Sequence, residues 1–195
     1  MGDSQLTSDV ERLADSLGKL PEPVVKPAFI VVSGLPGTGK TYLCARLAER
    51  LHFVVLESDA LRKVLFSSPG YSPEESARLF RALHQLIERL LKKGVSLILD
   101  ATNLSERNRE RLYNIAERLE VKLVLVRVEA PPGVVYERLK SRVGGASTPG
   151  NSDADWAVYQ KMKPAVEKIR RNHYAVDTSR DITPVLDKIV REARR

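Results

Sequence analysis

Cysteine is nearly absent from this chain, and the single Cys44 cannot form an internal disulfide. With three histidines in all, no Cys/His cluster has the spacing of a zinc site. Long apolar runs are missing as well. Val121 to Val126 is broken by Lys122, and no apolar run approaches the roughly 18 residues needed to cross a bilayer. Met1 to Asp9 lacks the charged-then-apolar order of a secretion signal, so the expected location is cytoplasmic, with no membrane partner. Internal repeats and low-complexity tracts are not found. A disulfide scaffold, a zinc module and a membrane protein are thereby excluded. What remains is a chain of 195 residues, 43% apolar and 29% charged, the composition of one globular domain.

Charge is unbalanced: 32 Lys and Arg against 25 Asp and Glu give +7, which favours polyanionic partners such as nucleotides or nucleic acid. Leu6, Val10, Leu13, Leu17 and Leu20 alternate at spacings of four and three, predicting an amphipathic helix over 6–20. Pro21, Pro23 and Pro27 then force an extended linker, so 1–27 reads as a helix and linker preceding a domain over 28–195. Within that domain, strand candidates Phe29–Ser33, Phe53–Glu57, Val95–Leu99, Lys122–Val128 and Tyr174–Val176 alternate with helical stretches. The helices are expected at 39–51, 59–66, 73–93, 106–119, 132–142, 154–170 and 183–194. Ser72-Pro73-Glu74-Glu75 has the form of a capping box opening the third of these. Near-continuous apolar strands joined by helices predict a doubly wound α/β sandwich around a parallel sheet. Residues 132–170 are expected to form a helical lid, with a loose glycine-rich loop over 143–152.

The most informative segment is Gly34-Leu35-Pro36-Gly37-Thr38-Gly39-Lys40-Thr41, a full match to G-x-x-x-x-G-K-[ST]. A chance match in a chain of this length is on the order of one per cent. An apolar strand runs directly in, and helix-forming residues from Tyr42 run directly out. Such a loop turns backbone N–H groups toward a phosphate, and the helix N-terminus adds partial positive charge. Lys40 is placed to reach the β- and γ-phosphates, and the Thr41 hydroxyl to hold Mg²⁺. A nucleoside triphosphate site is the reading, with ATP and Mg²⁺ as its ligands.

In open α/β sheets ligands bind at the carboxyl ends of the strands. The second strand ends in Glu57-Ser58-Asp59, with Arg62 one helical turn beyond Asp59. A carboxylate there can take a proton from an attacking hydroxyl while the guanidinium grips an anionic acceptor group. The plainer role is a helix cap with a helical partner. The third strand ends in Asp100, in the form of a metal-supporting strand-end carboxylate, and Thr102 and Asn103 add donors at the rim. A helix bearing Arg107, Arg109 and Arg111 follows. Arg138 and Arg142 form an i, i+4 pair before the loose loop, suited to fold over a triphosphate or simply to face solvent. Asp177-Thr178-Ser179-Arg180 follows the last strand and is expected to border the nucleobase.

Taken together, Gly34–Thr41, Ser58-Asp59-x-x-Arg62, Asp100-x-Thr102-Asn103 and the lid arginines resemble the P-loop kinase family that includes the 5′-hydroxyl polynucleotide kinases, over roughly 28–180. The resemblance implies a five-stranded parallel sheet of order 2-3-1-4-5, Asp59 as general base, Arg62 on the acceptor's phosphate and Arg142 on the donor phosphates. Two departures stand out: no phosphatase domain follows Arg195, and Ala101 separates Asp100 from Thr102 where the family commonly has Asp-Thr-Asn. Charge and the arginine-rich helix tilt the acceptor toward a 5′-hydroxyl end of RNA or DNA, with Arg62, Arg107, Arg109 and Arg111 as phosphate contacts. A small-molecule kinase acting on a sugar or antibiotic is the alternative. A nucleotide-binding switch is a third, which an acceptor base such as Asp59 argues against.

Overall fold

The computed structural model describes residues 2–143 and 154–195 and, for 2, 3, 142 and 143, the backbone only. Its elements run α1 (Gly2–Asp15), β1 (Ala28–Ser33), α2 (Lys40–Leu51), β2 (Val54–Glu57), α3 (Ser58–Leu65), α4 (Pro73–Lys92) and β3 (Leu97–Asp100), continuing through α5 (Glu106–Arg118), β4 (Lys122–Glu129), α6 (Pro132–Val143), α7 (Trp156–Met162), β5 (Tyr174–Asp177) and α8 (Thr183–Ala193). The sheet is parallel throughout, in the order β2-β3-β1-β4-β5. No helix among the described residues is long and apolar enough to cross a membrane.

β1 is buried along its whole length, and its side chains alternate between two cores. Phe29 and Val31, with Leu97, Leu99 and Leu125, pack against α1, α3, α4 and α5. Ala28, Ile30 and Val32, with Ile98, Val124 and Val126, pack against α2 and α8. The result is three layers, helix on sheet on helix. A smaller cluster joins Val135 and Leu139 of α6 to Tyr159 and Trp156 of α7, with Leu35 of the glycine-rich loop packed against it. Cys44 is buried in the α2 core, where burial pushes its thiol well up and leaves it a small hydrophobe.

Several boundaries differ from the sequence expectation. The first helix spans Gly2–Asp15 rather than 6–20. The Leu17 amide bonds to Ala14, Gly18 takes a φ of 65°, and the chain leaves the helix there. Leu17 and Leu20 still pack on the core, so the stripe reports burial beyond the helix. β3 is Leu97–Asp100, shifted from Val95–Leu99. The Ser96 hydroxyl accepts from the Ala28 amide and its carbonyl from the Val54 amide, outside the strand. The Ser72 cap forms, its hydroxyl accepting from the Glu75 amide, but the Glu75 carboxylate reaches back to the amides of Gly70 and Tyr71 instead of Ser72.

The helix expected over 154–170 ends at Met162, with a single 3₁₀ turn over Lys163–Ala165. Pro164 stops the helix, and the chain beyond is tied to α5 in irregular form. The Glu167 amide donates to the Leu104 carbonyl, and Arg109 donates to the carbonyls of Glu167 and Lys168. The same guanidinium also donates to the carbonyls of Asn103 and Leu104 and to the Glu106 carboxylate. Arg109 is 2% exposed. It is therefore no phosphate contact, as the sequence suggested, but the hub that fastens the 166–170 segment to α5.

Replacing Arg109 with alanine strands a buried carboxylate and several carbonyls at once. We expect Arg109→Ala to cost about 3–5 kcal/mol in urea unfolding, while the exposed Arg107→Ala stays within about 0.5 kcal/mol of wild type. Equal effects from the two substitutions would contradict this assignment.

Candidate functional site

The loop over 34–39 lies at the carboxyl end of β1 and leads without a break into α2. Its glycines are demanded by close neighbours as well as by backbone angle. A Cβ on Gly34 would come within 2.5 Å of the Val128 carbonyl oxygen. Gly39 sits at φ 94°, and a Cβ there would strike the Thr178 side chain. The Leu35 carbonyl accepts from Lys40 Nζ at 3.1 Å and from Thr38 Oγ1 at 2.8 Å, so the lysine lies folded along its own loop.

The cavity beside this loop has a volume of about 550 Å³, in the range of small-ligand sites. Pro36, Gly37, Gly39, Lys40, Thr41 and Tyr42 form one wall. Facing them are Asp59 from the first turn of α3, Asp100 from the end of β3, and Thr102. Arg138 and Thr178 close the side toward α6 and β5. Arg180, from the segment expected to border the nucleobase, lines it too, and among the lining residues that sequence reasoning did not single out as site residues are Glu57 and Ser141. Glu57 was legible in principle, since it ends β2 and pairs in register with Asp100, which ends β3.

Asp100 is 3% exposed, and the Thr41 hydroxyl donates to its Oδ2 at 2.8 Å. Burial holds its pKa above the usual carboxylate range; Lys40 and the Thr41 hydrogen bond oppose this, and Glu57 and Asp59 add to it. Two hard oxygen donors thus meet at one edge of the cavity. That set fits Mg²⁺, which takes one or two carboxylates and completes its shell with phosphate and water. Among the described residues no group of three His, Cys, Asp or Glu is placed to hold a metal ion.

Other expected residues have different partners. Asn103 is buried at φ 45°, its amide donating to the Val32 carbonyl at 3.0 Å, so it shapes the turn after β3. The Thr102 side chain is at the cavity, while its carbonyl accepts from the Gly34 amide. Thr178 acts as a brace. Its hydroxyl donates to the Thr38 carbonyl and accepts from Arg138 Nη1 at 2.8 Å, while Arg138 Nη2 donates to the Thr178 carbonyl. Arg138 therefore locks α6, the phosphate loop and the segment after β5 together. The side chain of Arg142 and the glycine-rich stretch over 144–152 lie outside the described residues.

Arg62 is buried on α3. Its Nη2 donates to the Ser76 hydroxyl at 3.2 Å, Tyr71 lies across its guanidinium at 4.8 Å, and Glu75 approaches Nη1 at 3.7 Å. Its Nε and Nη1 make no hydrogen bond. Arg111 lies on the far side of α5, in a surface groove with His84 and Glu88. The arginine-rich helix thus does not line the cavity.

The buried Asp100 gives a stability test. Because its pKa is raised in the fold, its contribution is favourable while protonated and is lost as pH climbs through the raised value. At neutral pH its charge is a cost to the metal-free protein. Asp100→Asn should raise the Tm of the EDTA-treated protein at pH 7, and that gain should disappear below about pH 3.8, the ordinary aspartate value. The thermal stabilisation that wild type receives from Mg²⁺-ATP should shrink in the same variant.

Comparison with known proteins bears on the fold and the family. Residues 29–169 match the family model AAA_33, described as an AAA domain. Gluconokinase of Gluconobacter oxydans is 27% identical over 125 residues, covering 62% of this chain and 68% of that protein. Adenylyl-sulfate kinase of Myxococcus xanthus is 29% identical over 111 residues, 55% of this chain and 60% of its own length. The chain thus spans about 60–70% of these two curated relatives. Among solved structures, a gluconokinase from Sinorhizobium meliloti 1021 superposes with a TM-score of 0.57 at 24% identity, covering 86% of this chain and 89% of that one. The Mycobacterium tuberculosis APS kinase bound to AMPPNP and APS superposes with a TM-score of 0.65 at 16% identity, covering 87% and 99%. At those identities the superpositions show a shared fold. The family match covers well over half of the sequence, and with it the chain belongs to the AAA_33 family, as a P-loop protein of the kinase type.

Proposed function

We propose that this protein transfers the γ-phosphoryl group of ATP to a hydroxyl of a small, anionic acceptor. One observation carries the acceptor class: Arg62, one turn from Asp59, is buried with Nε and Nη1 outside hydrogen-bond distance of any partner, the Glu75 carboxylate standing 3.7 Å from Nη1. A buried donor left in that state is stabilised by an anion, through charge-assisted bonds to carboxylate, sulfate or phosphate. Relatives whose names specify gluconate and adenylyl sulfate, both anions, are consistent with such a partner.

In this reading Asp59 accepts the proton of the acceptor hydroxyl as that oxygen attacks the γ-phosphorus. The bond from γ-phosphorus to the β,γ-bridging oxygen breaks, and ADP leaves with that oxygen. Lys40 leaves the Leu35 carbonyl to stabilise the phosphoryl oxygens, and the loop amides hold the β-phosphate. Thr41 and Asp100 would hold Mg²⁺, which supplies charge neutralisation on the triphosphate. Arg142 is assigned to the donor phosphates, and Arg138 and Thr178 hold the nucleotide wall of the cavity in place.

A nucleic-acid 5′-hydroxyl end is the second reading. The +7 charge favours it, and Arg62 would suit the phosphate adjoining that hydroxyl. Against it, Arg109 is spent on structural hydrogen bonds and Arg111 lies away from the cavity. That leaves few cations to follow a strand.

The decisive assay offers labelled ATP with D-gluconate, adenylyl sulfate and a 5′-hydroxyl oligonucleotide. A small anion should be phosphorylated, with Lys40→Ala slowing transfer at least about 10²-fold. Asp59→Asn should abolish transfer while leaving ATP binding near normal in calorimetry. Arg62→Ala should raise acceptor KM about 10- to 100-fold, the worth of hydrogen bonds to a charged group. Preference for the oligonucleotide, with log KM rising about 0.7 per phosphate contacted for each log unit of salt, would move the assignment to the second reading.

A further inference from the structure

Helix α1 precedes the segment matched by the family and is nonetheless built into the acceptor side of the fold. Val10 and Leu13 are buried against α3 and α4. Asp9 is 1% exposed, although it is an aspartate on a terminal helix. Arg78 of α4 grips it with two bonds of 2.7 Å, and Gln5 donates to it as well. The Arg78 guanidinium then lies over the Phe66 ring at 5.2 Å. Arg12 reaches the other way: Nη2 donates to the Val64 carbonyl and Nη1 to the Leu65 carbonyl.

Those two carbonyls end α3, the eight-residue helix that carries Asp59 and Arg62. A helix this short has little stability of its own, and its terminal carbonyls need donors. Arg12 supplies both donors and a positive charge at the negative end of the helix dipole. Phe66, held under Arg78, is the first residue after α3, and its amide donates to the Arg62 carbonyl. Five residues on, Tyr71 covers the Arg62 guanidinium in a left-handed conformation at φ 54°, pinned by the Glu75 carboxylate. At the carboxyl end of α3, the donors to the Val64 and Leu65 carbonyls come from Arg12, and the guanidinium over Phe66 is held by Asp9, while Arg62 and Tyr71 are tied to α4 through Ser76 and Glu75.

We infer that α1 is a positioning element for the acceptor half of the site, with Arg12 and the Asp9–Arg78 pair setting where α3 presents Asp59 and Arg62. This rests on the kinase reading above for its catalytic consequence. Neither Arg12 nor Asp9 lines the cavity, and their side-chain hydrogen bonds go to α3, to α4 and within α1 rather than to the phosphate loop or α2. The acceptor and donor halves should therefore respond differently to its loss.

The test uses the full chain with Arg12→Ala, Arg12→Lys and Asp9→Asn. In Arg12→Ala, amide hydrogen exchange over 58–72 should accelerate about tenfold or more, while 34–51 keeps wild-type protection. Mg²⁺-AMPPNP should bind with unchanged affinity. With whichever of D-gluconate, adenylyl sulfate or the 5′-hydroxyl oligonucleotide the wild type phosphorylates, acceptor kcat/KM should fall about 10- to 100-fold at constant ATP KM. Arg12→Lys, which keeps one donor and the charge, should recover most of it, and Asp9→Asn should reproduce the loss in milder form. Faster exchange across the whole chain, or equal losses in ATP and acceptor parameters, overturns the inference and makes α1 a stability element. Unchanged exchange over 58–72 overturns it as well. If the wild type phosphorylates none of the three probes, the kinase reading fails on its own, and the exchange pattern still decides whether α1 sets α3.

Discussion

The burial of β1 on both faces is the constraint from which the site follows. Six consecutive residues without a solvent face can be accommodated only in the middle of a sheet, with helices above and below. β3 pairs on one side and β4 on the other, in parallel, so all their carboxyl ends emerge at one edge. Val32 lies beside Asp100, and Asp100 beside Glu57. The phosphate loop, the strand-end carboxylate and the start of α3 converge because the ladder register permits no other arrangement.

That edge concentrates opposite electrical demands. The loop and the α2 N-terminus favour anions, while Glu57, Asp59 and Asp100 place three carboxylates around the same cavity. Burial raises the Asp100 pKa, Lys40 and the Thr41 hydroxyl oppose the rise, and Glu57 and Asp59 add to it. The arrangement is costly for the protein alone and, on the proposed kinase reading, becomes favourable when cation and phosphate arrive together. Functional sites often hold charge in this unbalanced form, because the ligand completes the balance.

Arginine serves three different ends here, and sequence position does not distinguish them. Arg109 is consumed by backbone carbonyls and holds irregular chain to α5. Arg138 ties α6 to the phosphate loop through Thr178. Arg62 is buried among Ser76, Tyr71 and Glu75, with Nε and Nη1 outside hydrogen-bond distance of any of them. A basic helix face looks uniform in sequence, yet burial and carbonyl partners decide which guanidinium remains available to a ligand.

The elements and the glycine-rich loop between β1 and α2 were readable from the chain itself, since both depend on local pattern. Apolar runs of four to six residues, glycines at fixed spacing and a Ser-Pro-x-Glu cap impose their structure through short-range sterics and hydrogen bonds. The strand order followed from the resemblance these motifs carried. What sequence could not reveal were relations between distant segments: the end of α7 at Pro164 with the 166–170 chain pinned by Arg109, the bracing of Thr38 by Thr178, and the grip of Asp9 and Arg12 on α3 and α4. Each joins residues dozens of positions apart, through side chains whose alternatives in solvent are equally good. Only the packing of the helices on a common sheet removes those alternatives, by burying the groups that would otherwise bond to water.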